Sequence, residues 1–346
     1  GPPSFPPSPP PAIISGKVTG FKLPRALTAN EVAYAEVWLA PTSLYFTAPL
    51  GRTATPAQRD QSGERWRVTQ DGGTYTIFSS RGLRTVYAVF GIFDKSTQVF
   101  TPWLMGIRRG VTADADKPAV NQDILLDMHL DQQVPITVDN PLTNPWTGQP
   151  AMNEVYSYLD LGGEGVIPMG KRSDTAPRFN FTGFPRLGLD SFVFLNHASS
   201  GGQIPESYFF RRQFGEPSKG VTVGPMLGML EVTEPSFADP TFRGEVKWEM
   251  GSGPQADLNY VLILKLTQSG AVTLWSGVAP GSDRFLAIPP PIVADIRSKV
   301  KPNEQTLVQL ISVRSPRFDY NHWSYGQLSL DAWTSFGVTL APLTFQ

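Results

Sequence analysis

Apolar and polar residues alternate along much of the chain, and this period of two is typical of strands with one buried face. Residues 32–39 and 260–266 show the pattern clearly, whereas residues 85–92 are almost continuously apolar and predict a strand buried on both faces. Further strands are predicted at 14–18, 74–77, 124–130, 155–161, 179–184, 192–195, 208–214, 221–230, 246–248, 272–275, 307–313 and 325–333. A single short helix is predicted at 292–299. The pattern therefore predicts an all-β fold of tandem antiparallel β-sandwich domains with little helix.

The front of the chain carries the most specific local signal. The pair Asp71–Gly72 stands between strand-like runs, and it predicts a hairpin because Gly adopts the positive φ that a tight turn needs. An opening strand, an alternating strand and this turn follow one another in an order that resembles the carboxypeptidase-regulatory-like (transthyretin-like) β-sandwich. The resemblance implies a sandwich fold and a secreted or surface compartment, and it implies no chemistry.

The length of 346 residues suits two or three domains. We predict a Pro-rich tether at 1–12, the carboxypeptidase-regulatory-like sandwich at 13–139, a middle all-β segment at 140–236 and a last sandwich at 237–346. Trp248, the alternating strand at 260–266 and the late Tyr-rich strand loosely resemble the fibronectin type III and immunoglobulin-like group. The order of the segments also resembles multi-domain bacterial surface lipoproteins.

Seven prolines in residues 1–12 favour an extended polyproline II rod, which serves as a stiff tether or is a tail without a role. Gly1 is compatible with three origins: a tag scar, a removed signal peptide, or a lipid anchor attached upstream.

Composition excludes several classes of function. With 29 basic and 30 acidic side chains, the chain lacks the basic excess of a nucleic-acid binder, so no nucleic-acid partner is expected. The absence of cysteine excludes disulfides, cysteine-bound zinc and a thiol nucleophile, and it mildly favours a bacterial envelope setting. No apolar run approaches the roughly 20 residues of a transmembrane helix, and no cofactor is expected.

No motif indicates catalysis or metal binding. The three histidines, His129, His197 and His322, are far apart and show no metal-ligand spacing, and no nucleophile elbow is present. Asp114 and Asp116 form a lone Asp-x-Asp pair that is weak evidence for calcium. Glu164, Glu206, Glu216 and Glu249 could each serve a glycosidase, but nothing selects two of them. We therefore expect a protein that is not an enzyme, with no catalytic and no metal-binding residue.

Two groups of residues are candidates for binding. The densest aromatic cluster contains Phe318, Tyr320, Trp323 and Tyr325, and such rings either form a platform for a partner or belong to the core. Arg211 and Arg212 follow an apolar run, where guanidinium groups either recognise carboxylates at an interface or are solvated at a strand end.

These features favour a non-catalytic adhesion, scaffold or assembly protein of a bacterial envelope, secreted, on the cell surface or in the periplasm. Its partners would be envelope proteins or surface polysaccharide. The first alternative is a carbohydrate-binding module or glycan-acting protein that uses exposed aromatic rings. The second alternative is a structural subunit of an extracellular assembly or filament, which would pair its open strand edges with other chains.

Overall fold

The computed structural model of the protein describes residues 11–41, 65–187, 191–200, 204–214, 219–301, 303–316, 318–322 and 333–345, with the backbone alone at 191 and 211–214. Within these ranges the chain forms mostly antiparallel strands, together with one α-helix and one 3₁₀ turn. The predicted fold class, tandem antiparallel β-sandwiches with little helix, is confirmed. No helix in the same ranges is long and apolar enough to cross a bilayer.

Two sheets face each other in the front part of the chain. Their strands are β1 (Ala12–Thr19), β2 (Glu31–Leu39), β3 (Arg65–Val68), β4 (Gly73–Ser79), β5 (Gly82–Asp94), β6 (Val99–Ala113), β7 (Ile124–Leu125) and β8 (Met128–His129). One sheet has the order β4-β1-β7, and the other has the order β3-β2-β5-β6-β8. Ile14, Ile77 and Phe90 are among the buried residues that fill the space between them.

Strand β5 is buried on both faces, as its continuous apolar run predicts. Val86, Ala88 and Phe90 belong to the core of the front sandwich. Tyr87 and Val89 point to the other side, where they join the core of the middle segment. The front sandwich is therefore packed against the rest of the chain through a buried sheet face.

The Asp71–Gly72 turn does not close a hairpin, so that prediction is wrong. It joins β3 to β4, which lie in opposite sheets. The Asp71 carboxylate accepts the backbone N–H groups of Gly20 and Phe21 at 2.8 and 3.2 Å, which anchors the turn to the end of β1. Gly72 has the expected positive φ of 72°. The local backbone signal was correct, but packing between the sheets decides which strands pair.

The stretch 124–130 keeps its predicted alternation but not its continuity. Ile124, Leu126 and Leu130 are buried, and His129 is exposed. Strand β7 pairs in parallel with β1, whereas β8 pairs with β6 in the opposite sheet. The chain therefore crosses from one sheet to the other in the middle of this stretch.

The remaining elements form one long sheet and two short ones. They are β9 (Gln132–Val138), β10 (Met152–Asp160), the 3₁₀ turn Gly162–Glu164, β11 (Val166–Asp174), β12 (Arg178–Phe184), β13 (Ser191–Ser199), β14 (Glu206–Phe214), β15 (Val221–Val223), β16 (Leu230–Glu234), β17 (Glu245–Met250), β18 (Leu258–Thr267), β19 (Gly270–Pro280), β20 (Phe285–Ala287), α1 (Pro290–Ser298), β21 (Thr306–Arg314) and β22 (Ser335–Leu343). The long sheet has eight strands in the order β11-β10-β13-β14-β22-β21-β18-β19. The sheets β12-β9-β15 and β16-β17-β20 cover its inner face.

The eight-stranded sheet joins the middle segment to the C-terminal segment. Residues 206–209 of β14 pair with residues 335–338 of β22. Strand β9 lies within the predicted front segment, 13–139, but it pairs with β12 and β15 of the middle segment. The domain boundaries at 139 and 236 stay predictions.

Several elements of the C-terminal segment agree with the sequence. Helix α1 lies where a helix was predicted, begins with Pro290 and buries Ile296. Val246 and Trp248 are both buried in the core, on one face of β17. The predicted strand at 221–230 is instead divided between β15 and β16, because Gly224 has positive φ and Pro225 lacks an N–H for a ladder. Strand β22 was not predicted.

Candidate binding surface

The predicted aromatic cluster is described in part. The rings of Phe318 and Tyr320 are both half-buried and meet edge to face, with centroids 6.2 Å apart and an interplanar angle of 71°. The Tyr320 hydroxyl donates to the carbonyl of Val278 on β19 at 3.3 Å. Trp323 and Tyr325 lie outside the described residues, so a role of this cluster in binding stays a prediction.

The arginine pair at 211–212 lies on β14. Its backbone pairs with Phe194 and Val193 of β13, and its side chains lie outside the described atoms. The predicted role of Arg211 and Arg212 in binding therefore stays a prediction.

A row of aromatic side chains crosses the outer face of the eight-stranded sheet. His197 on β13 lies opposite Tyr208 on β14, which lies opposite Phe336 on β22. Directly opposite side chains are close enough to touch, and here they stack: the His197–Tyr208 and Tyr208–Phe336 centroids are each 4.5 Å apart, at 11° and 14°. Trp333 continues the row, 5.6 Å from Phe336 and 6.2 Å from Tyr260. We call these five residues the aromatic row.

A network of charged groups lies at the His197 end of the aromatic row. The Glu154 carboxylate lies 3.2 Å from His197 Nδ1 and 2.5 Å from Lys171 Nζ on β11. His197 Nε2 lies 3.1 Å from Glu206 Oε1, and the Tyr208 hydroxyl donates to the other oxygen of Glu206 at 2.8 Å. The imidazole is therefore held between two carboxylates.

These contacts shift the ionisation of the network. Burial disfavours the charged imidazolium, but hydrogen bonds and charges from Glu206 and Glu154 outweigh burial, so the pKa of His197 is raised above its ordinary value of 6.5. Burial likewise opposes the charge of Glu154, yet Lys171 and His197 hold its pKa below the ordinary value of 4.5. A histidine with a raised pKa and a carboxylate at each nitrogen is a poor general base, because neither nitrogen is free to accept a proton from a substrate.

A second surface feature lies beside the eight-stranded sheet. Trp146 is 49% exposed and Phe237 is 65% exposed, and their rings are nearly perpendicular, with centroids 6.4 Å apart. They line an open groove of about 610 Å³ together with Glu231, Ser236 and Thr339. We call it the Trp146 groove. Neither ring of this groove was predicted as a binding residue, although an aromatic residue between turn-forming neighbours, as in Asn-Pro-Trp-Thr-Gly, is a sequence signal for an exposed ring.

The carboxylates and histidines considered above do not assemble into a cation site in the part of the chain that is described. No group of three or more His, Asp or Glu residues there is placed to hold a metal ion. Glu164 is held by structural contacts, because it accepts hydrogen bonds from the Gly110 N–H at 2.8 Å and from the Thr85 hydroxyl at 2.9 Å.

Comparisons with known proteins identify no family for this chain. No protein-family model matches it, and no curated protein matches it. One match among solved structures is to the FN1–FN3 domains of chicken CNTN1, at 9% sequence identity and a TM-score of 0.17, covering 82% of this chain and 84% of that chain. Such a low TM-score carries no weight for the fold or the function of this protein.

Proposed function

We propose that the protein is a non-catalytic adhesion, scaffold or assembly component that binds a protein partner through the aromatic row. The row carries the proposal because it places half-buried rings across several strands of one sheet, beside a charged network. Tyrosine and tryptophan are the residue types that most often dominate protein interfaces, since they bury large areas with few rotatable bonds.

Ring geometry favours a protein over a sugar at this surface. Tyr208 lies between His197 and Phe336, each stacked at 4.5 Å, so both faces of its ring are covered. Sugars bind aromatic residues through exposed ring faces, whereas a protein partner can pack on ring edges and on the aliphatic residues around them. The aromatic row therefore fits an apolar protein surface better than a glycan.

Removal of one ring tests this proposal. We expect Phe336→Ala to weaken binding of the partner by about 2 kcal/mol, or roughly 30-fold. The measurement is a crosslinked pull-down from native cells, quantified by mass spectrometry and followed by titration with the purified partner. The matched control is Leu83→Ala, because Leu83 is 48% exposed and lies in the front sandwich. An unchanged partner set in Phe336→Ala contradicts the proposed surface, and turnover of a peptide or polysaccharide contradicts the non-catalytic role.

Glycan binding is the second candidate function, and the Trp146 groove is its site. The edge of one ring meets the other ring there, which leaves ring faces open for the apolar face of a sugar, and Glu231 and Ser236 supply hydrogen-bonding groups. Isothermal titration against a glycan panel tests it, with Trp146→Ala expected to abolish any binding. Phe285→Ala is the matched control, since Phe285 is also an exposed ring, at 58%. Equal glycan binding by Trp146→Ala and wild type rules out the groove.

The proposed compartment is a bacterial cell surface or periplasm, with the Pro-rich start as a tether. The cysteine-free composition and the strand order of the front segment support it. We also propose that the front sandwich is of the carboxypeptidase-regulatory-like type. Cell fractionation with an antibody to the folded chain tests the compartment, and recovery in the cytosol alone contradicts it.

A further inference from the structure

The two edges of the eight-stranded sheet differ in chemistry. Edge strand β11 contains Pro168, which lacks an N–H, and Met169 as an extra residue that shifts the register against β10. It also carries Lys171 and Arg172, and the Arg172 guanidinium donates to the Asn180 carbonyl of β12 at 2.7 Å. Proline, a bulge and charged side chains are the features by which proteins prevent an edge strand from pairing with another chain. This edge is protected.

The opposite edge, β19, differs from β11 in its charge and proline content, and it shares with β11 one extra residue, Leu274, at which the register against the neighbouring strand shifts. Its sequence from Gly270 to Pro280 contains no charged residue and no proline before the last position. Ala271, Val272, Thr273 and Ser276 are exposed, and in the described chain β18 is the one strand that pairs with β19. A long, uncharged edge strand of this kind is a template for further pairing.

Backbone groups of β19 that face away from β18 can be assigned from one contact. The Val278 carbonyl accepts the Tyr320 hydroxyl, so Val278 belongs to the outward set. Outward residues alternate along an antiparallel strand, which places Ser276 in the same set. Leu274 is the extra residue where the register shifts, so beyond it the outward set continues with Thr273 and Ala271.

A neighbouring strand adds an apolar contact at this edge. The Leu286 side chain on β20 lies close to β19, since a Cβ added at Gly277 would be 3.0 Å from its Cδ2. The preceding residue, Phe285, is 58% exposed. Strand β20 of the short sheet, which carries the exposed Phe285, therefore packs against β19.

We propose that β19 pairs antiparallel with β19 of a second copy of this chain, across a twofold axis, and joins the two eight-stranded sheets into one. When a strand pairs with its own copy, any charged side chain on it comes close to the same charge on the other chain. A strand without charged residues avoids this like-charge repulsion. Because edge strand β11 is protected, it does not pair with further copies of the chain. The assembly therefore closes as a dimer and does not grow into a filament.

Mass and crosslinking test the pairing. Light scattering after gel filtration should give about twice the 37.9 kDa mass of one chain. Ser276→Lys places a charge on the open edge and should shift the protein to the monomer mass, whereas Thr112→Lys, at an exposed threonine of β6, should leave the dimer intact. Melting temperatures of both variants are measured alongside, so that a loss of folding is recognised.

Single cysteines give a second readout that does not depend on weakening the dimer. Because the chain contains no cysteine, one cysteine placed in turn at Ala271, Thr273 and Ser276 reports only on its own surroundings. Oxidation should link two chains at one or more of these positions and not at Thr112→Cys. A monomer at every concentration overturns the proposal. A dimer that survives Ser276→Lys without crosslinks in β19 also overturns it, and so does a monomer whose β19 amides become protected only when another protein is added.

Discussion

At the scale of single residues, the ionisation of His197 makes the stability of the charged network beside the aromatic row depend on pH. Its folded pKa is raised, so its contribution to stability is complete below its ordinary value of 6.5 and is lost as pH rises through the folded value. Glu154 behaves in the opposite sense, because its pKa is lowered: its contribution is present above 4.5 and is lost as pH falls through the folded value. The network should therefore be most stable in mildly acidic solution.

We expect His197→Gln to lower the free energy of unfolding below pH 6.5 by about 1–2 kcal/mol, because two half-buried carboxylates lose a charged hydrogen-bond donor. Above the raised pKa the difference from wild type should shrink. Urea unfolding over a series of pH values measures both effects. His129→Gln is the control, since His129 is exposed and its ring meets that of Trp103 at 85°. A constant difference between His197→Gln and wild type at all pH values would show that His197 does not titrate in this way.

At the scale of elements, the close packing of β6 against β7, which lie in opposite sheets of the front sandwich, depends on a glycine. A Cβ at Gly106 would overlap the backbone oxygen of Leu125 and lie 2.7 Å from Ile124 Cγ2. We expect Gly106→Ala to destabilise the protein by about 1–3 kcal/mol, because backbone atoms cannot move aside as a flexible side chain does. The control is Gly163→Ala, where an added Cβ meets open space. Chemical denaturation measures both, and equal stabilities would contradict the predicted clash.

Sequence periodicity located elements well and their partners poorly. The burial of β5 on both faces and the position of α1 followed from apolar spacing alone, because burial is a property of each residue in its own strand. The Asp71–Gly72 turn specified a backbone conformation but not that β3 and β4 enter different sheets. The row formed by His197, Tyr208 and Phe336 comes from strands separated by up to about 140 residues in sequence, and only the cross-strand register brings them together.

At the scale of the whole molecule, two junctions connect the three predicted segments. Glu164, in the middle segment, accepts hydrogen bonds from Thr85 and Gly110 of the front sandwich and forms an ion pair with Arg109 at 3.1 Å. Ser335, fully buried on β22, donates to the Tyr208 carbonyl at 2.7 Å and so joins the C-terminal segment to the middle one. Ser335 is buried and Glu164 is half-buried, and Tyr87 and Val89 of the front sandwich belong to the core of the middle segment. This shared core favours unfolding as one unit over the independent motion usual between domains.

Calorimetry of the full chain should therefore show a single transition whose calorimetric and van't Hoff enthalpies agree. Glu164→Ala should cost about 1–3 kcal/mol, because it leaves the hydroxyl of the buried Thr85 and the N–H of Gly110 without their acceptor, and it should separate an early transition of the front sandwich from the rest. Asp116→Ala removes an ion pair whose acidic side chain is 81% exposed, and solvent screening should keep its effect within about 0.5 kcal/mol, with one transition retained. Two resolved transitions in the wild-type chain would show that the front segment unfolds on its own. The Glu164 contacts would then serve to orient the front sandwich and not to stabilise it.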